Sequence, residues 1–227
     1  MVHSNWIRFF AGMGTLSVTT LLFDLGNVLF DLDIPATETA LNRLLGHDAH
    51  RFADWARDNR FFERFETGEI ANEDFIGTIL EHCTPETSAT DVIHAWNAML
   101  IGMPANRLAW LKELRVKYRV ALLSNTNGLH IDWVHDYFRE THALTDYEVK
   151  YFDRVYYSHA IGARKPDREA YRFVLRDLGV TPQEVLFIDD NQDNCRGARQ
   201  VGIHAVHHSP ERMIERSLDD YLTDIQV

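Results

Sequence analysis

Apolar and β-branched residues gather in five short runs. The first is Ser17–Phe23 (SVTTLLF); Arg119–Leu123 (RVALL), Arg154–Tyr157 (RVYY), Val185–Ile188 (VLFI) and Ile203–Val206 (IHAV) follow. Runs of that length and composition predict buried strands. Between the later runs, apolar positions recur at helical spacing over Pro104–Val116, Leu129–Phe138, Arg168–Leu178 and Gln192–Val201. Gly179 and Gly202 stand where a helix would stop before the next strand. Alternating strands and helices predict an α/β fold, a Rossmann-like, doubly wound parallel sheet covered on both faces.

One region departs from this rhythm. About ninety-five residues separate the first strand from the second, far more than one crossover needs. No convincing strand pattern lies there. Helical patterns do, over Ala36–Leu45, His50–Asn59, Asn72–His82 and Glu86–Leu100, with turns at Thr67-Gly68-Glu69 and Thr84-Pro85 and with Pro35 and Pro104 as brackets. The expected division is a core of residues 15–33 and 105–227 with an inserted α-helical subdomain, or lid, over 34–104. Residues 1–14 are expected to be a loose extension. Trp6, Ile7, Phe9 and Phe10 make an apolar patch broken by Arg8, without a clean signal-peptide core, and Met13 is an alternative start.

Composition narrows the partners. The chain has 227 residues, 45% hydrophobic and 25% charged, with a net charge of -11. A surface of that sign repels nucleic acid and anionic membrane, so neither is expected as a partner. No run is long enough to cross a bilayer. Cys83 and Cys195 are far apart and lack zinc spacing. They read as reduced thiols of a cytoplasmic protein.

Chemistry is sought beyond the carboxyl ends of the strands, where doubly wound sheets bind ligands. Asp24 follows the first strand and Ser124-Asn125-Thr126-Asn127 the second. Arg164-Lys165-Pro166 comes some way after the third, and Asp189-Asp190-Asn191 follows the fourth, with Asp193-Asn194 beyond. Carboxylates crowded at one edge repel unless a cation holds them. Mg²⁺ suits such oxygens and leaves room for water and a phosphate. A hydroxyl, backbone N–H groups and a lysine can bind phosphate oxygens, and the remaining carboxylate can attack phosphorus.

These four stretches, FDLGNV (Phe23–Val28), LLSNTN (Leu122–Asn127), RKPD (Arg164–Asp167) and FIDDNQDN (Phe187–Asn194), resemble the four ordered motifs of the haloacid dehalogenase superfamily. The helical insert resembles the cap of members that carry one after the first strand, and Gly68–Ile70 with Phe75 is similar to their cap sequences. Bacterial sugar-phosphate phosphatases of the glucose-1-phosphatase type are the nearest in pattern, and the phosphatase domain of soluble epoxide hydrolases is similar at a greater distance. The resemblance implies a Mg²⁺-dependent phosphatase acting on a small phosphate ester through an aspartyl phosphate, as a monomer or homodimer. It implies Asp24 as nucleophile and metal ligand, the Gly26 carbonyl and Asp190 as further ligands, and Asp189 on a metal-bound water. It makes Ser124 and Asn125 phosphate-binding and Lys165 the neutralising cation. Gly26 and Asn27 lie against the substrate, and Asp193 or Asn194 supports the metal shell. Arg60, in the segment Asn59–Arg64, is the cap's expected substrate contact.

The pattern departs from most such phosphatases at Gly26, where a second aspartate usually protonates the leaving group and activates water. Glycine has no acid–base chemistry, which typically contributes about a hundredfold or more. A metal-bound water or His130 is the expected substitute. Two other readings stay open: a non-catalytic pseudo-phosphatase that binds its ligand, and a metal-independent 2-haloacid dehalogenase, against which the Asp189-Asp190 pair argues. Taken singly, Ser124 and Asn127 read as helix caps, Lys165 as a surface lysine, His130 as structural, and Asp31 and Asp33 as solvated turn residues. Only the four stretches together outweigh those readings.

Overall fold

The strand Thr20–Phe23 (β1) is buried at all of its positions, and its place explains why. It is the middle of a five-stranded sheet of order β5-β4-β1-β6-β7, with β4 Arg119–Ser124, β5 Arg154–Tyr157, β6 Val185–Asp189 and β7 His204–His207. Every pairing in that sheet is parallel. The structure is a computed structural model and describes residues 18–225. The extension expected over residues 1–14 lies outside them, as does Ser17. Thr19 still continues the ladder, its N–H donating to Glu184 O and its carbonyl accepting from Arg119 N–H, both at 2.9 Å.

Side chains alternate across the sheet with the period of two that strands impose. Leu21, Phe23, Val120, Leu122, Leu186 and Ile188 face one core. It is closed by α6 (Ala105–Leu114), α7 (Gly128–His142), α8 (Tyr147–Tyr151) and α12 (Ile214–Ile225). Leu22, Ala121, Leu123, Val185 and Phe187 face the other, beneath α10 (Arg168–Leu178) and α11 (Gln192–Gln200). The expected doubly wound α/β fold is the fold observed. Gly179 ends α10 with φ of 65°, the left-handed conformation that glycine adopts without penalty.

Between β1 and β4 the chain forms α1 (Ile34–Leu45), α2 (Ala49–Asp58), α3 (Phe61–Glu66), α4 (Asn72–Leu80) and α5 (Ala89–Asn97). They close on a cluster of their own, with Phe52, Phe61, Phe65, Phe75, Ile79, Val92 and Trp96 buried, and Leu129 of α7 joins it. Ser88 caps α5 through a reciprocal box with Asp91. A two-stranded antiparallel ribbon joins this insert to the sheet domain, β2 (Asp31–Leu32) against β3 (Leu100–Gly102).

The sequence reading gave no strand in this stretch; the ribbon is the correction. Its strands are too short to show alternation, and Leu100, the first residue of β3, falls at the end of the helical pattern Glu86–Leu100. Helices α3, α8 and α9 (Ser158–Ile161) were likewise unread, since four to six residues hold too little of a helical period. Helix α12 does carry its period, in Ile214, Leu218, Tyr221 and Leu222, and went unread. Among the described residues no helix is long and apolar enough to cross a membrane.

Candidate active site

Strands β4 and β6 run one residue further than expected, so Ser124 and Asp189 are themselves strand residues. With Asp24, directly after β1, they sit on neighbouring strands at one sheet edge. The backbone needs no loop to gather them.

The turn after β1 is tight. Leu29 and Phe30 N–H donate to Leu25 O at 2.9 and 2.8 Å, and Asn27 N–H donates to Phe30 O at 2.8 Å. Asn27 takes φ of 56°, a left-handed conformation that asparagine tolerates better than most residues. Its side-chain Nδ2 then donates to Asp190 Oδ2 at 3.1 Å. The turn thus orients the carboxylate that directly follows β6. At Gly26, an added β-carbon would stand 2.6 Å from Leu32 Cδ1. The space beside the missing acid–base side chain is occupied by a leucine of β2.

Lys165 is 1% exposed, and Nζ bridges the first and last acidic stretches. It donates to Asp24 Oδ1 and, at 2.7 Å, to Asp189 Oδ2. Asn125 positions the lysine by a reciprocal pair: Nδ2 donates to Lys165 O, and Lys165 N–H donates to Oδ1, both at 2.8 Å. The side-chain amide of Asn125, expected on phosphate, is committed to this loop. Asp189 is fully buried. It also accepts from Asn191 N–H at 2.8 Å and from Asn194 Nδ2 at 3.0 and 3.1 Å. Tyr171 Oη donates to Asn194 O at 2.6 Å and anchors the start of α11 from beneath.

Three carboxylates meet here: Asp24, Asp189 and Asp190 each place an oxygen within 4.8 Å of the others. Burial pushes the Asp24 carboxyl up to about 7; Asp189 and Asp190 add to that, while Lys165 pulls the other way. Burial also raises Asp190, more than the Asn27 hydrogen bond lowers it. For Lys165 burial favours the neutral amine, but Asp189 and Asp24 outweigh it and hold the ammonium. A single lysine cannot balance three crowded carboxylates, so the cluster fits a further cation. Hard oxygen donors left free on Asp24 and Asp190 suit Mg²⁺.

The acidic edge opens into a cavity of about 400 Å³. Asp24, Gly26, Asn27, Ser124, Asn125, Lys165 and Asp190 all line it. The Ser124 hydroxyl makes no hydrogen bond among the described residues, which leaves it free for a ligand. Asp189 lies behind the wall, reaching the site through Lys165. Asp193 is exposed at the start of α11, beside Arg196, whereas Asn194 lines the cavity. Asp31 pairs with Arg107 at 3.0 Å, and neither it nor Asp33 is on the cavity wall.

Arg60, too, is away from the wall and exposed. Phe61 and Phe65, four apart, bury one face of α3, so Arg60 and Arg64 fall on the solvent side. The cation at the mouth is Arg164. Its Nε and Nη2 grip Glu66 Oε2 at 2.9 and 2.8 Å, joining α3 to the lysine loop. Burial raises the Glu66 carboxyl, and Arg164 offsets part of the shift. Sequence reasoning missed this pair. Arg164 stood inside the RKPD stretch without a role, and Glu66 carried no signal.

His130 and Trp96 also form the wall. Their rings stack with centroids 5.0 Å apart and planes 2° from parallel. Asn127 Oδ1 accepts from Trp96 Nε1 at 3.2 Å and from His130 N–H at 3.1 Å. Asn97 Oδ1 lies 2.8 Å from His130 Nδ1, placing the imidazole proton there. Burial pushes His130 down to about 3, so the ring is neutral at ordinary pH.

Comparison with known proteins agrees with this geometry. The chain is 28% identical over 187 residues to a D-ribitol-5-phosphate phosphatase of Bacteroides thetaiotaomicron, covering 82% of this chain and 89% of that one. The solved structure of a haloacid dehalogenase family enzyme from the same organism superposes with a TM-score of 0.77 at 31% identity, covering 86% of this chain and 96% of that one. That enzyme has also been crystallised with magnesium and inorganic phosphate. A predicted haloacid dehalogenase-like hydrolase of Porphyromonas gingivalis superposes with a TM-score of 0.76 at 26% identity, over 90% of this chain and 98% of that one. The family model for haloacid dehalogenase-like hydrolases matches residues 18–202, which hold every strand of the sheet but β7, and the chain belongs to that family.

Proposed function

We propose that the protein is a magnesium-dependent phosphoric monoester hydrolase working through an aspartyl phosphate. The observation that carries this reading is the convergence of Asp24, Asp189 and Asp190 around Lys165 at one end of the sheet. Magnesium would be held by Asp24, Asp190 and the Gly26 carbonyl, with Asp189 behind, and its charge would offset repulsion between the nucleophile and an anionic phosphate. Asp24 attacks phosphorus as the ester P–O bond breaks. Lys165 and Ser124 hold the phosphoryl oxygens, and water then cleaves the acyl phosphate to free Asp24. His130 is neutral and its one proton faces Asn97, which favours water in the cavity over His130 as the proton source.

The helices of residues 34–104 act as a cap over the phosphate site, excluding bulk water and contacting the leaving group. Sugar phosphates, the class the family resemblance implies, and polyol phosphates, for which the similar Bacteroides thetaiotaomicron phosphatase is named, make the first assay panel. The two free thiols fit a reducing cytoplasm.

The filled space at Gly26 favours a second reading, a ligand-binding protein without turnover. One assay separates the two. Purified protein is offered a panel of phosphate esters with Mg²⁺, with EDTA, and as Asp24→Asn. The enzyme reading expects phosphate release that EDTA and Asp24→Asn both abolish. Wild-type release no faster than that of Asp24→Asn on every ester would leave the binding reading standing.

A further inference from the structure

The aromatic wall of the cavity extends beyond His130. Phe62 of α3 also stacks with Trp96, with centroids 5.5 Å apart and planes 8° from parallel. Phe62, Trp96 and His130 thus form a ladder of near-parallel rings reaching the phosphate site. Alongside it lies a second cavity of about 260 Å³, between α1, α2 and α5. It shares Ile34, Trp96 and Met99 with the first, so the two adjoin along those side chains. Its remaining apolar walls include Leu41, Leu45 and Phe52. Ile34 stands at the shared rim, 54% exposed, and adds apolar surface to the open side of this path.

Most polar groups along this path are already paired; the exceptions are Glu38 and Asn42, exposed side chains of α1 on the wall of the second cavity. Glu66 and Arg164 hold each other. Thr37 Oγ1 donates to Trp96 O at 2.9 Å and accepts from Met99 N–H at 3.0 Å. Asn97 and the His130 Nδ1 proton are committed to one another. A polyhydroxylated leaving group drawn into this path would lose hydrogen bonds to water and find few replacements. An alkyl, prenyl or aryl group would lose none and gain burial.

We infer that the preferred substrate carries an apolar arm on its phosphate ester, lying along the Phe62–Trp96–His130 ladder and into the cavity between α1 and α2. This rests on the reading of the strand-tip cluster as a phosphate site, and for its leaving group it puts apolar alcohols in place of the sugars that the family resemblance implies. Full burial of a methylene contributes about 0.8 kcal/mol, or roughly fourfold in binding at 1.4 kcal/mol per tenfold. Partial burial along an open path should yield about twofold per methylene.

The test separates the arm from the chemistry by using non-hydrolysable alkylphosphonates. Their dissociation constants are measured by calorimetry on the whole protein with Mg²⁺, from ethyl to octyl, beside ribitol 5-phosphate and inorganic phosphate. Affinity should rise about sixtyfold between ethyl and octyl, and octyl should bind more tightly than the polyol phosphate. Ile34→Asp, a change at an exposed position, should flatten the dependence on chain length. A constant affinity across the series, or tightest binding by the polyol phosphate, would overturn the inference. Turnover is read separately, with the matching alkyl phosphates. Absent turnover with a steep affinity series would remove the phosphatase reading and leave the apolar arm. Rapid turnover with a flat series would do the reverse.

Discussion

Lys165 and Phe75 are both almost wholly enclosed, at 1% and 0% exposure, and their surroundings have nothing in common. Lys165 sits between two carboxylates at the sheet edge. Phe75 sits in the insert against Phe65 at 3.9 Å, Trp96 at 4.8 Å and Phe61 at 5.0 Å between centroids. A buried ammonium is tolerated only where each partner is placed, because an unpaired charge costs several kcal/mol. A buried ring asks only for apolar volume of the right shape. The strand-tip region should therefore fail when a partner is removed, and the insert when volume is removed.

The largest effect is expected at Lys165. Replacing it with methionine keeps the volume and leaves three carboxylates within 4.8 Å of one another without their lysine. Breaking a buried pair costs about 3–5 kcal/mol, and the upper part of that range is expected without metal. Millimolar Mg²⁺ should recover part of the loss, since it binds the folded cluster only. Urea unfolding with and without Mg²⁺ checks both. An unchanged midpoint in EDTA would mean that the lysine is not holding the carboxylates together.

Phe75→Ala comes next, at about 3 kcal/mol from lost burial and the cavity left behind. Here Mg²⁺ should shift the midpoint by the same amount as in the wild type. If the variant loses that shift as well, the two regions are not separable.

The same contrast explains what could be read in advance. A charge that must be buried is written at a strand end, in a short motif with few acceptable residues. FDLGNV, RKPD and FIDDNQDN therefore exposed Asp24, Lys165, Asp189 and Asp190, and the alternation of strands and helices exposed the sheet that aligns them. The rings of the insert could be named as its core, but any of several would fill the same volume. Which ones turn toward the phosphate depends on how α3 and α5 pack, and no local pattern states that. Phe62 and Arg60 are two residues apart, and packing of Phe61 and Phe65 decides that only the former lines a cavity. Asn125 shows a third case: its motif was legible, but its grip on the Lys165 loop came only with the coordinates.

His130 joins the two regions, with a wall of the cavity on one side and Trp96 on the other. Burial holds its folded pKa at about 3, below the ordinary 6.5. The unfolded chain therefore binds a proton that the folded chain refuses between those values. The stability this contributes is complete above about 6.5 and is lost as the pH falls toward 3, with a limiting slope of about 1.4 kcal/mol per pH unit. His130→Gln, which can still reach Asn97, should flatten the part of the acid limb between pH 6 and 4. Urea midpoints over that range, taken with both proteins in EDTA, measure the difference. Equal slopes would mean that the imidazole is already solvated and free to titrate.

The smallest effect belongs to Gly26, where the insert and the strand tips touch. A β-carbon there meets Leu32 Cδ1 at 2.6 Å, and Leu32 belongs to the ribbon that leads into the insert. Leu32 is only partly buried, so its side chain can swing away. An off-rotamer side chain costs about 0.5–1.5 kcal/mol, while replacing glycine by alanine returns about 0.4–1 kcal/mol through the unfolded chain. Gly26→Ala should consequently destabilise by no more than about 1 kcal/mol, and adding Leu32→Ala should remove the steric part of that cost. The double-mutant cycle reports this coupling directly. Zero coupling would show that Leu32 does not fill the space beside Gly26. A clear coupling would show that Leu32, on the insert's own connection, fills the space beside Gly26 that a side chain at position 26 would enter.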